Sequence, residues 1–523
     1  MRRLLPVAAG LLGSLAFFRN AIFSGFDKVM GIRFDTGLVV FLHEHWWKVL
    51  NRNASWLSPN FMYPSTKTLG FTDTYFLDTL LYAPLRALGV EPFLAFQLTA
   101  ILLGWIGYAG WFLVLRRWIG ATVGIAIVGA LIATYGNALF AQATHPQLLA
   151  VHWLPWVGLT LWFALHAHGR KKIALGFATG AEFALIAWTA FYVAWFVAVA
   201  ILIFLLVRVA LGRTTWVFAS FSAHRSMLAS GLVGTVVGLI PFAFTYLPVI
   251  ADRRERSLEN GLTYATTLTD VLRVGESNLA WGWVVGEPPG GIFGREFILG
   301  FPVLFLCIWA AVVVFNFRRR DHVGIGLSVV TIFLLVLPLK IGARSVWEIA
   351  YHLLPGATAI RVISRSWFVI VPIVVLLAAR TWVSHVDRSR LPRWVVVLGI
   401  AFLLFEQVSW STSWDVDRRD MLAFAEAIGE PPNDCEAFFL FTDDPEGPFN
   451  PTHIDAMMIA MRYGIPTVNG YSGLLPNNYD IKVGSTEYPN QVDTWLRTNG
   501  ISRGLCVADR TTGTWSPWPL PSS

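Results

Sequence analysis

The sequence predicts an all-α polytopic membrane bundle of about eleven transmembrane helices, with a small C-terminal extracytoplasmic domain that is α/β or β-rich. Three observations predict it. Apolar runs of spanning length recur from Leu4 to about Trp410, basic residues collect in every second gap between them, and a polar tail follows the last run. A bilayer core needs about 20 apolar residues per helix. A hydrophobic content of 55% and a mean hydropathy of +0.56 supply many such segments. The runs are continuous rather than alternating, which is the pattern of helices and not of a membrane barrel.

The first run, Leu4–Phe23, follows Arg2 and Arg3, and the second, Phe93–Leu115, ends at Arg116 and Arg117. Ala121–Tyr135 returns, and Leu148–Leu165 descends to Arg170, Lys171 and Lys172. Ile173–Trp188, Val193–Val207 and Met227–Ile250 follow, with Arg208 and Arg213 between the last two. Phe297–Phe317 ends at Arg318, Arg319 and Arg320; Val323–Leu339, Trp367–Trp382 and Trp394–Phe405 complete the set, the last two flanking Arg388, Arg390 and Arg393. Cytoplasmic loops carry the excess of Lys and Arg, so these clusters and the N-terminus are expected in the cytoplasm and the C-terminus outside. Arg19 lies near the end of the first run, where snorkelling would tolerate it. Thr74–Leu88 is apolar but short, ends near Pro84 and Arg86, and is read as interfacial or re-entrant. The net charge of +7 belongs mostly to the cytoplasmic clusters and argues for topology rather than nucleic acid.

The polar mass lies on the outward side. Residues 1–411 form the membrane domain with a large first outer loop over 24–91, and 412–523 form the expected periplasmic domain. Within it, Cys435 adjoins the strand-like run Glu436–Thr442 and Cys506 lies in the strand-like Gly504–Ala508. Two cysteines in one extracytoplasmic domain suggest a disulfide; two unpaired buried thiols are the alternative. The chain has no Gly-rich phosphate loop of P-loop or dinucleotide type and no nucleophile elbow. No internal repeat is evident, which weakens a transporter assignment.

The first outer loop reads Gly31-Ile-Arg-Phe-Asp35, then His43-Glu-His45-Trp-Trp47, Phe61-Met-Tyr63-Pro64, Leu69-Gly-Phe-Thr-Asp73 and Leu81-Tyr-Ala-Pro84. Further on come His145-Pro-Gln147 with Trp153-Leu-Pro155, the stretch Ile360-Arg361-Val362 to Arg365, and Val468-Asn-Gly-Tyr471-Ser-Gly473-Leu-Leu-Pro476 in the tail. Together these segments resemble bacterial membrane glycosyltransferases of the GT-C superfamily, in the branch that uses polyprenyl-phosphate-linked sugars. The resemblance implies an inverting hexosyl or pentosyl transferase of the bacterial inner membrane. Such an enzyme moves a sugar from the lipid carrier to a glycan, lipid or protein acceptor on the periplasmic face. A lipid-linked saccharide translocator, or a non-catalytic scaffold for envelope assembly, is the alternative.

The resemblance also implies an essential acidic residue near the end of the first helix, which here is Asp35. A carboxylate there can take the acceptor hydroxyl's proton; a helix N-terminal role is the plainer account, since Asp35 precedes the apolar run Gly37–Leu42. Asp73, His45, Tyr63 and His145 are expected near the substrate. Asp35, Asp73 and His145 are the available ligands should a divalent cation, Mg²⁺ or Mn²⁺, be required. The loop Gly136–His145 has no acidic residue where metal-using relatives often have one, and His43 and His45 diverge on a helix. Arg253, Arg254, Arg256, Arg361 and Arg365 all oppose the positive-inside trend. Arg361 and Arg365 are expected to bind the carrier phosphate, with headgroup anchoring as the alternative. Glu182, inside a run, is expected to line a polar cavity or bond a neighbouring helix.

Overall fold

The computed structural model describes residues 4–252, 256–284, 298–342, 344–385, 392–410, 416–442, 451–483 and 485–518, apart from the side chains of 215–218. It is mostly helical, and each expected span coincides with a helix. Among the described residues six helices are long and apolar enough to cross a membrane: Pro92–Arg117, Val123–Ala141, Pro146–His166, Phe191–Ala210, Arg225–Val249 and Ile363–His385. Leu5–Phe17, His322–Val336 and Arg393–Phe405 are apolar but shorter. Gly169–Thr189 opens on Arg170, Lys171 and Lys172, and Val303–Arg319 has 17 residues.

The short first helix has a local cause. The run expected from Leu4 to Phe23 breaks at Phe18, and a separate turn Arg19–Phe23 follows. Arg19 does not snorkel. Its guanidinium donates to the carbonyls of Ala16 and Ser409 and lies 5.0 Å over the Phe140 ring. Pro92–Arg117, by contrast, starts cleanly, because the Glu91 carboxylate accepts from the amides of Phe93 (2.9 Å) and Leu94 (3.0 Å) and Pro92 needs no partner. Glu182 accepts from Thr160 at 3.0 Å, so it bonds a neighbouring helix.

The first outer loop is built on two helices, Arg33–Leu50 and Phe76–Ala87. Glu44 joins them, accepting from Tyr82 Oη (2.6 Å) and Arg86 Nε (2.5 Å). The stretch His43–Trp47, with its paired tryptophans, suits an interfacial helix with indoles at headgroup level, but the helix Arg33–Leu50 is not one. Residues 35–46 are all buried, and Trp46 donates to the Thr74 carbonyl at 2.6 Å. Its covering element is the tail helix Thr452–Tyr463, which crosses where Gly37 has no side chain: a Cβ there would press on Ile454.

The tail is α/β. Ala437–Phe441 and Leu505–Asp509 pair in parallel, with Phe438 opposite Cys506, and Thr514–Pro517 adds an antiparallel edge. Cys435 and Cys506 are joined, their Cα atoms 5.7 Å apart. Backbone hydrogen bonds tie the tail to the first outer loop: Met62 N to Asn469 O (3.0 Å), Tyr63 N to Thr467 O (2.9 Å) and Leu474 N to Phe71 O (3.1 Å). Lys28–Val29 also pairs with Val416–Asp417, and Asp455 binds Arg33 of the loop.

Candidate active site

Asp35 sits in the first turn of Arg33–Leu50, behind an extended Ile32. It does not cap the helix. Its carboxylate accepts from three side chains: His145 Nδ1 (2.6 Å) and Gln147 Nε2 (2.7 Å) on Oδ2, and Tyr471 Oη (2.9 Å) on Oδ1. His145 and Gln147 flank Pro146, the first residue of the turn that leads into a spanning helix. Tyr471 comes from the tail. Burial by itself would raise the pKa of Asp35. The hydrogen bond and charge of His145 outweigh it, aided by Gln147 and the charge of Arg365, so the carboxyl is held well below the usual carboxylate range.

Asp35 faces a cavity of about 540 Å³. Its walls also include Asp73, His145, Arg256, Arg361 and Arg365, with Tyr192, Tyr246, Tyr264, His453 and Tyr471. The arginines gather around Tyr192. The Tyr192 hydroxyl accepts from the Arg361 amide at 2.6 Å, and its ring lies 5.8 Å beneath the Arg365 guanidinium. Arg361 stacks over Tyr264 at 5.4 Å. Arg256 donates to the Ala359 carbonyl and to Gly473 of the tail loop. Burial lowers the basicity of Arg256, opposed by Tyr192. Asp73 gives Oδ1 to the Phe191 amide at 3.0 Å, which starts the helix that carries Tyr192. Burial raises its pKa, against that hydrogen bond and the charges of Arg365 and Arg256.

Asp35, Asp73, His145, Arg361 and Arg365 thus share one cavity, and two expected residues lie elsewhere. His45 is buried in the helix, its Nε2 3.0 Å from the Trp56 carbonyl, and burial pushes it down to about 4. Tyr63 belongs to the loop–tail seam, where its carbonyl accepts from Trp495 Nε1 at 2.8 Å. Arg253 and Arg254 lie outside the described residues. Among the described residues no three of His, Cys, Asp and Glu come together to hold a metal ion. Asp35 and His145 spend their nearest atoms on each other, and Asp73 is committed to a helix start, so this donor set does not fit a preformed cation site. Tyr192, Tyr264 and His453 were not legible as site residues. Gln147 and Tyr471 were visible inside the motif segments, without any signal of what they touch.

No protein-family model and no curated protein sequence matches the chain. Solved structures do. Over 96% of its length the chain is similar to the crystal structure of the Archaeoglobus fulgidus oligosaccharyltransferase complexed with Zn and sulfate, at 12% identity and TM-score 0.50, covering 67% of that protein. The apo form of that protein gives 11% identity, TM-score 0.51 and 96% and 68% coverage. The mycobacterial arabinofuranosyltransferase AftD gives 14% identity and TM-score 0.52 over 97% of this chain, which spans only 35% of AftD. At such identities the likeness is one of fold alone, shared with an oligosaccharyltransferase and an arabinofuranosyltransferase.

Proposed function

We propose that the chain is a membrane glycosyltransferase that takes a sugar from a polyprenyl-phosphate carrier and transfers it, with inversion, to an acceptor on the periplasmic face of a bacterial inner membrane. One observation carries this reading: a single cavity holds a buried carboxylate, Asp35, together with the guanidinium groups of Arg256, Arg361 and Arg365. A transfer from a phosphodiester needs both. An acceptor oxygen attacks the anomeric carbon while the bond from that carbon to the phosphate oxygen breaks. The acceptor's proton passes to Asp35, and the phosphate leaves with the bonding electrons, its charge held by the arginines. His145, Gln147 and Tyr471 orient the carboxylate. Tyr192 orients the arginines.

The test is transfer from a radiolabelled polyprenyl-phosphate sugar pool in membranes holding equal amounts of wild type or Asp35→Asn. Loss of a general base typically costs about 10²–10⁴ in rate, and a loss of that size is expected. Equal transfer by both would remove Asp35 as the base. Absence of transfer by wild type with every donor sugar would favour the translocator or scaffold.

A further inference from the structure

The cavity has a region that phosphate chemistry does not use. His453 stands on its wall, on the first turn of the tail helix Thr452–Tyr463. Its Nδ1 faces the amide of Gly470 at 3.2 Å. A backbone amide can only donate, so Nδ1 must be the acceptor and the ring hydrogen must be on Nε2. Burial pushes His453 down to about 4, which keeps the ring neutral near pH 7. Among the described residues Nε2 has no protein partner. Its N–H is therefore a neutral donor offered at a cavity wall.

Its surroundings fit the same use. One turn along, Met457 Sδ receives the amide of Tyr471 at 3.4 Å, so the helix fixes two successive amides of the loop that delivers Tyr471 to Asp35. Phe34, next to Asp35 in sequence, brings its ring within 5.6 Å of the Tyr471 ring. Two aromatic rings and an uncharged donor, set beside a carboxylate that can take a proton, form a wall for a neutral polyhydroxylated molecule. A phosphate would be drawn to the arginines instead.

We propose that Phe34, Tyr471 and His453 form the acceptor subsite, and that the acceptor is a carbohydrate. Its ring lies against the two aromatic rings, and one of its hydroxyl oxygens accepts the Nε2 hydrogen of His453. This rests on the reading of Asp35 as the base, since it is Tyr471 that bonds Asp35.

The test is a binding measurement, so that it does not depend on transfer. The full-length protein in lipid nanodiscs is titrated with methyl glycosides of common hexoses and pentoses by saturation-transfer NMR, and separately with farnesyl phosphate as the phosphate probe. His453→Asn keeps an acceptor where Nδ1 stands and deletes the Nε2 donor. At least one glycoside is expected to bind wild type and to bind His453→Asn about tenfold more weakly, as loss of one hydrogen bond implies. The thermal midpoint and farnesyl phosphate binding should not change. Phe34→Leu should weaken the same glycoside several-fold. The proposal is overturned if no glycoside binds wild type, if His453→Asn binds glycosides normally, or if farnesyl phosphate binding falls in parallel. Glycoside binding that persists in a protein showing no transfer would retain the subsite and remove the enzyme assignment.

Discussion

At the scale of single residues, two buried carboxyl groups end with opposite shifts although burial raises the pKa of both. Asp35 is buried, yet donors from His145, Gln147 and Tyr471 surround it and hold it ionised. Deleting His145 removes the largest of the effects that lower its pKa and leaves burial less opposed, so His145→Ala should raise that pKa. Because the base works only when ionised, the acid limb of the pH profile of kcat/KM should move to higher pH in His145→Ala; an unmoved limb would mean that Asp35 does not set it. Asp78 shows the other outcome. It has one side-chain donor, Trp153 Nε1 at 2.7 Å, and burial raises it to about 7. The unfolded chain ionises near pH 4, so the folded state binds the extra proton between those values. Its contribution to stability is full below about pH 4 and is lost as pH rises through about 7. Asp78→Asn keeps an acceptor for Trp153 and cannot ionise. Between pH 5 and pH 8 wild type should lose on the order of a few kcal/mol that the variant does not lose, read as a smaller fall in melting temperature in detergent.

At the scale of elements, the cavity depends on how closely helices approach. Gly169–Thr189 and Arg225–Tyr246 pack backbone to backbone. A Cβ at Gly234 would meet the carbonyl of Phe177, and one at Gly180 the carbonyl of Gly231. Small residues of this kind let membrane helices associate through dispersion where no hydrophobic drive exists. Phe242 and Tyr246, on the same helix as Gly234, reach the cavity, and the Tyr246 hydroxyl donates to Thr72 at 3.0 Å. Gly234→Leu should therefore destabilise by about 1–3 kcal/mol and also reduce transfer. Val236→Leu, at a side chain that is 58% exposed, should do neither; thermal melts and the transfer assay separate the two. Elements were the most legible level of this chain. Apolar runs located all six helices that are long and apolar enough to span a membrane, because a span needs a long apolar segment wherever its faces point. The buried helix Arg33–Leu50 misled, because its Trp46–Trp47 pair looks the same on an interface as beneath a tail domain. Asp35, Arg361 and Arg365 could be read, the first from its motif and the others because outward arginines break the charge bias. Tyr192 could not: a tyrosine at the start of an apolar run carries no mark of Arg361, which folds against it from 169 residues away.

At the scale of the whole molecule, segments far apart in sequence must reach one face. Asp35 precedes the second expected span, Arg256 follows the seventh, Arg361 precedes the tenth, and Tyr471 lies beyond the eleventh, yet all four line one cavity. Each step between them must then contain an even number of crossings. The apolar pattern gives six, two and two. Counting Phe76–Ala87 as a crossing would make the first step odd and separate Asp35 from Arg256, so on the expected count the short helix lies on the side of the site. The tail is held to that side by Asp455, 1% exposed, which binds Arg33 of the loop and Arg510 of the tail at 3.3 Å. Removing one partner of a buried pair costs about 3–5 kcal/mol, and less where the other partner reaches solvent as Arg33 does. Asp455→Ala should thus lower the melting temperature and reduce transfer together, because the helix it loosens also positions Tyr471. Parity places the site on one face without saying which; charge does that. On the expected spans the basic clusters at Arg170–Lys172 and Arg318–Arg320 are an odd number of crossings from the cavity, so the positive-inside rule leads us to expect the cavity outside. Alkaline phosphatase, active only outside the cytoplasm, should be active when fused after Ser523 and inactive when fused after Arg320. The reverse pattern would put Asp35 and the arginines on the cytoplasmic face, where a nucleotide-linked donor would have to replace the lipid-linked one.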